Sequence, residues 1–112
     1  MIIQIFGTKK CKETQKALRF FKERKTEIQF INLAQKGMSK GEIKKVAASV
    51  GIDNLINKES NEFLNRGLKV ASYVGEDILF RYPLIMVTPV VRVGNNATVG
   101  NAPEEWKKLI EK

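Results

Sequence analysis

The chain has 112 residues, 43% of them hydrophobic and 29% charged, which is typical of one ordinary globular domain and excludes a disordered segment. Its net charge of +8 is scattered, without a run of five like charges or aromatic residues interleaved with basic ones, so direct nucleic-acid binding is not expected. The absence of histidine excludes Cys-His and Ser-His nucleophile pairs and histidine-ligated metals.

The first third of the chain predicts a strand, a helix and a second strand. Residues 2–6 form a short apolar run that suits a buried strand. From about Cys11 to Arg24 the apolar residues follow helical spacing, and Glu27 to Leu33 again suits a strand. We expect a parallel βαβ unit with a right-handed crossover.

The rest of the chain predicts helices, a hairpin and a last helix. Ser39-Lys40-Gly41-Glu42 has capping-box spacing and opens a helix. Short helical patterns at 57–65 and 76–82 complete a helical insertion at about residues 38–86. Residues 89–99 predict a β-hairpin that turns at Gly94-Asn95-Asn96, and Pro103 begins the final helix.

The only cysteine, Cys11, lies among lysines at the turn from the first predicted strand into the first helix. The unpaired N–H groups and positive dipole end of a helix N-terminus favour the thiolate, which is the nucleophilic form. Charge from the lysines and hydroxyl donors from the threonines would add to this effect. The candidate thiolate-stabilising residues are Lys9, Lys10, Lys12, Thr8 and Thr14. The alternative is that Cys11 is simply a small buried apolar residue.

The order βαβ, helical insertion, ββα is that of a thioredoxin-like α/β domain with a mixed four-stranded sheet, here expected over residues 1–112. That fold places a reactive cysteine after the first strand and a cis-proline, facing it, before the third. Thr88-Pro89 occupies the second position, and its backbone is expected to align an extended substrate. The alternative is a trans proline at the strand start.

Several segments resemble the arsenate reductase (ArsC)/Spx/YffB family over nearly the whole chain. They are Gly7–Ala17, Phe20-Phe21, Ile28–Leu33, Leu55–Ser60, Pro83–Val90 and Val99-Gly100. The resemblance implies a thioredoxin-like fold and a nucleophilic Cys11. In the family's arsenate reductases this thiolate attacks arsenate, and glutathione and glutaredoxin complete the reduction. No bound cofactor is implied, and glutathione would be a co-substrate.

The chain departs from those arsenate reductases where they hold the oxyanion with arginines. Thr88 stands where one arginine precedes the cis-proline, and arginine is also absent near Asn57–Glu59 and near Gly100. A bidentate guanidinium is not reproduced by threonine or glycine, so little or no arsenate reduction is expected. The arginines left as candidates to compensate are Arg66, Arg81 and Arg92.

The Spx branch implies a two-cysteine switch and binding to the α subunit of RNA polymerase. Thr14 replaces the second cysteine, which leaves a mixed disulfide with glutathione or another protein as the available chemistry. The sequence thus favours a glutathione-dependent thiol oxidoreductase, with glutaredoxin as a further partner. The alternatives are a non-enzymatic module that docks on RNA polymerase or another acidic partner, and a degenerate family member.

The compartment follows from cysteine content and hydropathy. One cysteine cannot form an internal disulfide, which suits a reducing cytoplasm. No stretch approaches the roughly 20 apolar residues needed to span a bilayer. We expect a monomeric cytoplasmic protein that does not associate with membranes.

Overall fold

A computed structural model describes residues 2–68 and 73–110 of the chain. Its sheet consists of β1 (Ile3–Gly7), β2 (Ile28–Asn32), β3 (Val90–Val93) and β4 (Asn96–Val99), in the order β2-β1-β3-β4. β1 pairs in parallel with β2, whereas β3 is antiparallel to both β1 and β4. The predicted α/β class with a mixed four-stranded sheet is confirmed.

Helices follow β1, fill the interval between β2 and β3, and end the described chain. They are α1 (Lys12–Glu23), α2 (Lys40–Val50), α3 (Ile52–Leu55), α4 (Asn61–Asn65), α5 (Gly75–Arg81), a 3₁₀ turn (Pro83–Ile85) and α6 (Pro103–Ile110). Within the residues that are described, α2 to α5 and the 3₁₀ turn lie between β2 and β3, the interval in which the sequence predicts an insertion. None of these helices has the length and apolar character needed to cross a membrane.

Helices cover both faces of the sheet, and successive residues of a strand point to opposite faces. Neighbouring residues of one strand are therefore buried in different cores. Ile5 of β1 packs on the face covered by α1 and α6, and Phe6 packs on the face covered by the helices between β2 and β3. The first core contains Ile3, Ile5, Ala17, Phe21, Val91 and Trp106. The second contains Phe6, Val90 and apolar residues of the inserted helices. The central strands β1 and β3 are therefore packed from both sides.

The predicted capping box at the start of α2 is confirmed. Ser39 Oγ accepts a hydrogen bond from the Glu42 N–H at 3.1 Å, and Glu42 Oε1 accepts one from the Ser39 N–H at 3.0 Å. Farther along the helix, Ser49 Oγ accepts from the Ala97 N–H at 3.0 Å and lies 3.3 Å from the Ala97 carbonyl oxygen. These bonds hold α2 against β4, one of the two edge strands of the sheet.

Candidate active site at the start of the first helix

Cys11 lies where β1 gives way to α1, as the N-cap residue of the helix. Its backbone is extended, with φ −75° and ψ 117°, and its carbonyl accepts the first helical hydrogen bond, from Gln15, at 3.1 Å. The preceding loop is held by a bond from the Cys11 N–H to the Thr8 carbonyl at 3.2 Å and one from Gln15 Nε2 to the Lys9 carbonyl at 2.7 Å. The half-buried thiol thus sits at the N-terminus of a 12-residue helix.

Thr88 and Pro89 face this thiol from the other side of the site. The Thr88–Pro89 peptide bond is cis, as the sequence predicts. Thr88 Oγ1 lies 3.1 Å from Cys11 Sγ and donates a hydrogen bond to it, and the Thr88 carbonyl oxygen is 4.0 Å from the same sulfur. The Pro89 carbonyl accepts from the Gly100 N–H at 2.9 Å. The fold therefore brings together two predicted site residues that are 77 positions apart.

Thr14, one turn into α1, is fully buried against the end of β1. A Cβ placed on Gly7 would overlap the Thr14 side chain, so glycine is what lets this threonine approach the strand. Within the residues that the structure describes, Thr14 Oγ1 has no hydrogen-bond partner. A buried hydroxyl without a partner costs free energy, and the Thr14 hydroxyl regains part of this cost if it donates to an ionised Cys11 sulfur.

The pKa of the Cys11 thiol is set by opposing effects. Burial raises it, while the hydroxyls of Thr14 and Thr88 and the main-chain N–H groups of Thr14 and Glu13 lower it, and the net result is a pKa below that of an ordinary thiol. Of the two threonines, only Thr88 has its Oγ1 within hydrogen-bond distance of the sulfur in the described structure, so its effect on the pKa has direct geometric support. The site favours the thiolate, the reactive form of cysteine.

The three predicted lysines flank Cys11 in the sequence and lie at the surface. Lys9, Lys10 and Lys12 are exposed, and none of them is among the groups that lower the Cys11 pKa. Lys9 and Lys10 line a cavity of about 570 Å³ together with Thr8 and Thr88. Cys11 itself does not line this cavity, but its sulfur contacts Thr88, which does. A part for these lysines in stabilising the thiolate stays a prediction, and their position also suits contact with an anionic ligand.

The same cavity contains two asparagines that the sequence reasoning did not single out. Asn32 ends β2, and Asn57 follows α3. Asn32 had a usable signal, since the carboxyl ends of parallel strands meet at one edge of a sheet, where α/β sites form. Asn57 lies in the segment where the family resemblance places an arginine, but only long-range contacts bring it to the cavity, including a bond from its N–H to the Ile85 carbonyl at 2.8 Å.

The three arginines considered as substitutes for an oxyanion clamp do not line this cavity. Arg66 pairs with Glu62 at 2.9 Å, and Arg81 pairs with Asp77 at 3.2 Å. Arg92 lies 3.7 Å from Glu42 Oε2. The structure does not bring them to Cys11.

Solved structures of other proteins share this architecture. An arsenate reductase from Vibrio cholerae is 16% identical and superposes with a TM-score of 0.85 over 98% of each chain. An arsenate reductase (ArsC) related protein from Brucella melitensis is 18% identical, with a TM-score of 0.68 over 96% of this chain and 93% of the other. A glutaredoxin from Archaeoglobus fulgidus is 16% identical, with a TM-score of 0.51 over 98% and 86%.

These likenesses establish a thioredoxin-like fold of the kind found in arsenate reductases. No protein-family model matches the sequence, and no curated protein matches it either. The chemistry of the chain must therefore be argued from its own residues.

Proposed function

We propose that the chain is an ArsC-like thiol oxidoreductase in which Cys11 is the nucleophile and glutathione the co-substrate. The observation that carries the proposal is the 3.1 Å contact from Thr88 Oγ1 to a half-buried sulfur at a helix N-terminus, beside an open cavity. The fold supports it, since both arsenate reductases and a glutaredoxin share it.

The reaction is a pair of thiol–disulfide exchanges. The Cys11 thiolate attacks one sulfur of a disulfide, and the other sulfur leaves as a thiolate with the electron pair and takes a proton from water. A second thiol, deprotonated to its thiolate, then attacks the substrate sulfur bound to Cys11, forms a new disulfide with it and releases the Cys11 thiolate with the electron pair. Because the chain has one cysteine, that second thiol comes from another molecule, which we propose is glutathione or a glutaredoxin.

The surrounding groups have separate parts in this scheme. Thr88 donates to the attacking sulfur, and the buried Thr14 hydroxyl and the first N–H groups of α1 favour its ionised form. The backbone at Thr88-Pro89 would align an extended substrate beside the sulfur. The lysines Lys9 and Lys10 would contact the carboxylates of glutathione.

Arsenate is a poor candidate substrate for this site. Among the described residues, the lining of the cavity beside Cys11 includes no arginine. The loss of one well-placed donor to a developing oxyanion costs about 10²–10³ in rate. We expect little or no arsenite release when arsenate and glutathione are supplied.

The test is turnover of the mixed disulfide between glutathione and 2-mercaptoethanol, with oxidised glutathione as the measured product. The wild-type protein is expected to turn over, and Cys11→Ser to abolish turnover. Lys22→Gln, an exposed change at the other end of α1, serves as the control and is expected to leave turnover intact. Turnover that survives in Cys11→Ser contradicts the proposal, as does a Cys11 that iodoacetamide alkylates no faster than free cysteine.

A non-enzymatic function is the alternative, and the net charge of +8 is the observation in its favour. In that case the chain would dock on the α subunit of RNA polymerase or another acidic protein. The complex would be salt-sensitive and would persist in Cys11→Ser. A pull-down at low salt that recovers no such partner contradicts this alternative.

A further inference from the structure

The cavity beside Cys11 adjoins a second one of about 340 Å³, and the two share Leu33, Ala34 and Leu84. We call the second cavity the basic groove. The charged residues lining it, within the described parts of the chain, are Lys36, Arg66, Arg81 and Glu62. With Asp77, which pairs with Arg81 from outside the lining, three cations stand against two carboxylates and the groove keeps one net positive charge. This charge adds to that of Lys9 and Lys10, which line the neighbouring cavity.

The two guanidinium groups of the basic groove are available to a ligand. Arg66 is 45% exposed in its pair with Glu62, and Arg81 is 64% exposed in its pair with Asp77. Exposed pairs of this kind contribute little to stability, so they yield readily to a competing carboxylate. The Arg66 guanidinium also lies 3.8 Å from the centre of the Tyr82 ring, which holds it in place.

An apolar residue stands at the junction between the two cavities. Leu84 lines both of them and is 48% exposed. A ligand that extends from the thiol into the basic groove therefore crosses an apolar surface before it reaches the arginines. Glutathione carries carboxylates but no apolar side chain, whereas a polypeptide segment supplies both.

We infer that the disulfide partner of Cys11 is a polypeptide whose cysteine is flanked by an apolar residue and then by acidic residues, which bind the basic groove. This inference rests on the proposed function and specifies its substrate class. The exchange itself is unchanged: Cys11 bonds to the cysteine sulfur of the partner, and the sulfur previously bound to that cysteine leaves as a thiolate.

The experiment uses peptides that carry one cysteine as a 2-thiopyridyl disulfide, with acidic or neutral residues beside it, and follows release of pyridine-2-thione. The acidic peptide is expected to react about tenfold faster than the neutral one at low ionic strength, because of electrostatic steering. The combined variant Lys36→Gln, Arg66→Gln, Arg81→Gln is expected to bring the two rates together. A control with the same charge change, Lys22→Gln, Lys45→Gln, Lys107→Gln, alters only exposed lysines outside both cavities and is expected to keep the preference.

Each outcome is decisive. Equal rates for acidic and neutral peptides in the wild-type chain, or a preference that the control removes as fully as the groove variant, overturn the inference alone. An equal slowing of oxidised glutathione and acidic peptide by the groove variant also overturns it, because the groove would then serve a small disulfide. Failure of Cys11 to react with any disulfide faster than free cysteine overturns the proposed function and the inference with it. Arg81→Gln alone, at an exposed side chain, repeats the test if the triple variant is unstable.

Discussion

The sulfur of Cys11 lies between the N-terminus of α1, which begins at this residue, and Thr88 from a distant part of the chain. Burial by itself would leave a protonated, inert thiol, and only the donors directed at the sulfur reverse that effect. The reactivity of the site thus depends on the hydrogen bonds that reach the sulfur from Thr88 and the start of α1.

Replacement of Thr88 by valine tests this balance. The change removes the 3.1 Å donor while keeping the shape of the side chain, so the pKa of Cys11 is expected to rise and alkylation at neutral pH to slow several-fold. Iodoacetamide kinetics across pH measure it. Thr98→Val is the matched control, since the buried Thr98 hydroxyl forms no hydrogen bond within the described structure. An unchanged pH profile in Thr88→Val would show that Thr88 does not lower the pKa of Cys11.

The lowered pKa also makes stability depend on pH. Because the folded pKa of Cys11 lies below the unfolded one, ionisation favours the folded state. This contribution is complete above the unfolded pKa, about 8.5, and is lost as pH falls through the folded pKa. The free energy of unfolding, measured by urea titration, is expected to rise with pH across this window in the wild-type chain more than in Cys11→Ser. Parallel curves for the two chains would contradict the thiolate assignment.

Gly7 and Thr14 are expected to be coupled. Gly7→Ala places a methyl group into the Thr14 side chain and is expected to cost roughly 1–3 kcal/mol of stability. The cost is expected to be smaller when Thr14 is already alanine, and a double-mutant cycle measures the difference. Strictly additive effects would mean that the two residues do not touch.

At this scale the sequence predicts a thiol at a helix start, because that depends on local order along the chain. The proline opposite the thiol follows from the expected thioredoxin-like order of elements. The sequence does not predict which hydroxyl reaches the sulfur, since Thr88 and Cys11 meet only through the pairing of β1 with β3. It points to the segment around Asn57 only through the family resemblance, because the position of this residue depends on the packing of the insertion.

Among the elements, α2 links the insertion to the sheet. Its capping box satisfies two helix-end groups, and its Ser49 supplies hydrogen bonds to the edge strand β4. Ser39→Ala is expected to cost about 1 kcal/mol, because the Glu42 N–H loses its acceptor. Chemical denaturation measures it, with Ser39→Asp as the conservative variant that retains a cap. An equal loss in both variants would argue against the cap.

The longer elements follow from periodicity and end signals, whereas the short ones do not. The pattern over residues 57–65 predicts one helix, but α4 covers only Asn61–Asn65, because a turn from Asn57 to Ser60 precedes it and the Ser60 hydroxyl caps it at the Phe63 N–H. The four-residue helix α3 was not foreseen, since one helical turn carries too few residues to show a period.

On the scale of the whole molecule, one core packs on each face of the sheet, and the candidate site lies at the carboxyl end of β1. Phe21 is fully buried beside Trp106, with ring centroids 6.0 Å apart, in the core beneath α1. This core is remote from the shared lining of the two cavities, so stability and ligand contact can be separated by mutation.

Phe21→Ala and Leu84→Ala test that separation. The first empties a buried site and is expected to cost about 3–5 kcal/mol, whereas the second truncates a half-exposed side chain and is expected to change stability by no more than about 0.5 kcal/mol. Thermal unfolding followed by circular dichroism measures both. A large loss in Leu84→Ala would show that this leucine belongs to the core.

The hydrogen bond from Gly100 to Pro89 ties the far end of the terminal hairpin to the backbone that faces the thiol. Gly100 adopts φ 77°, a conformation that side chains other than glycine resist. A side chain at position 100 would strain this backbone. The placement of residue 89 beside the thiol therefore depends on a glycine at the opposite end of the hairpin.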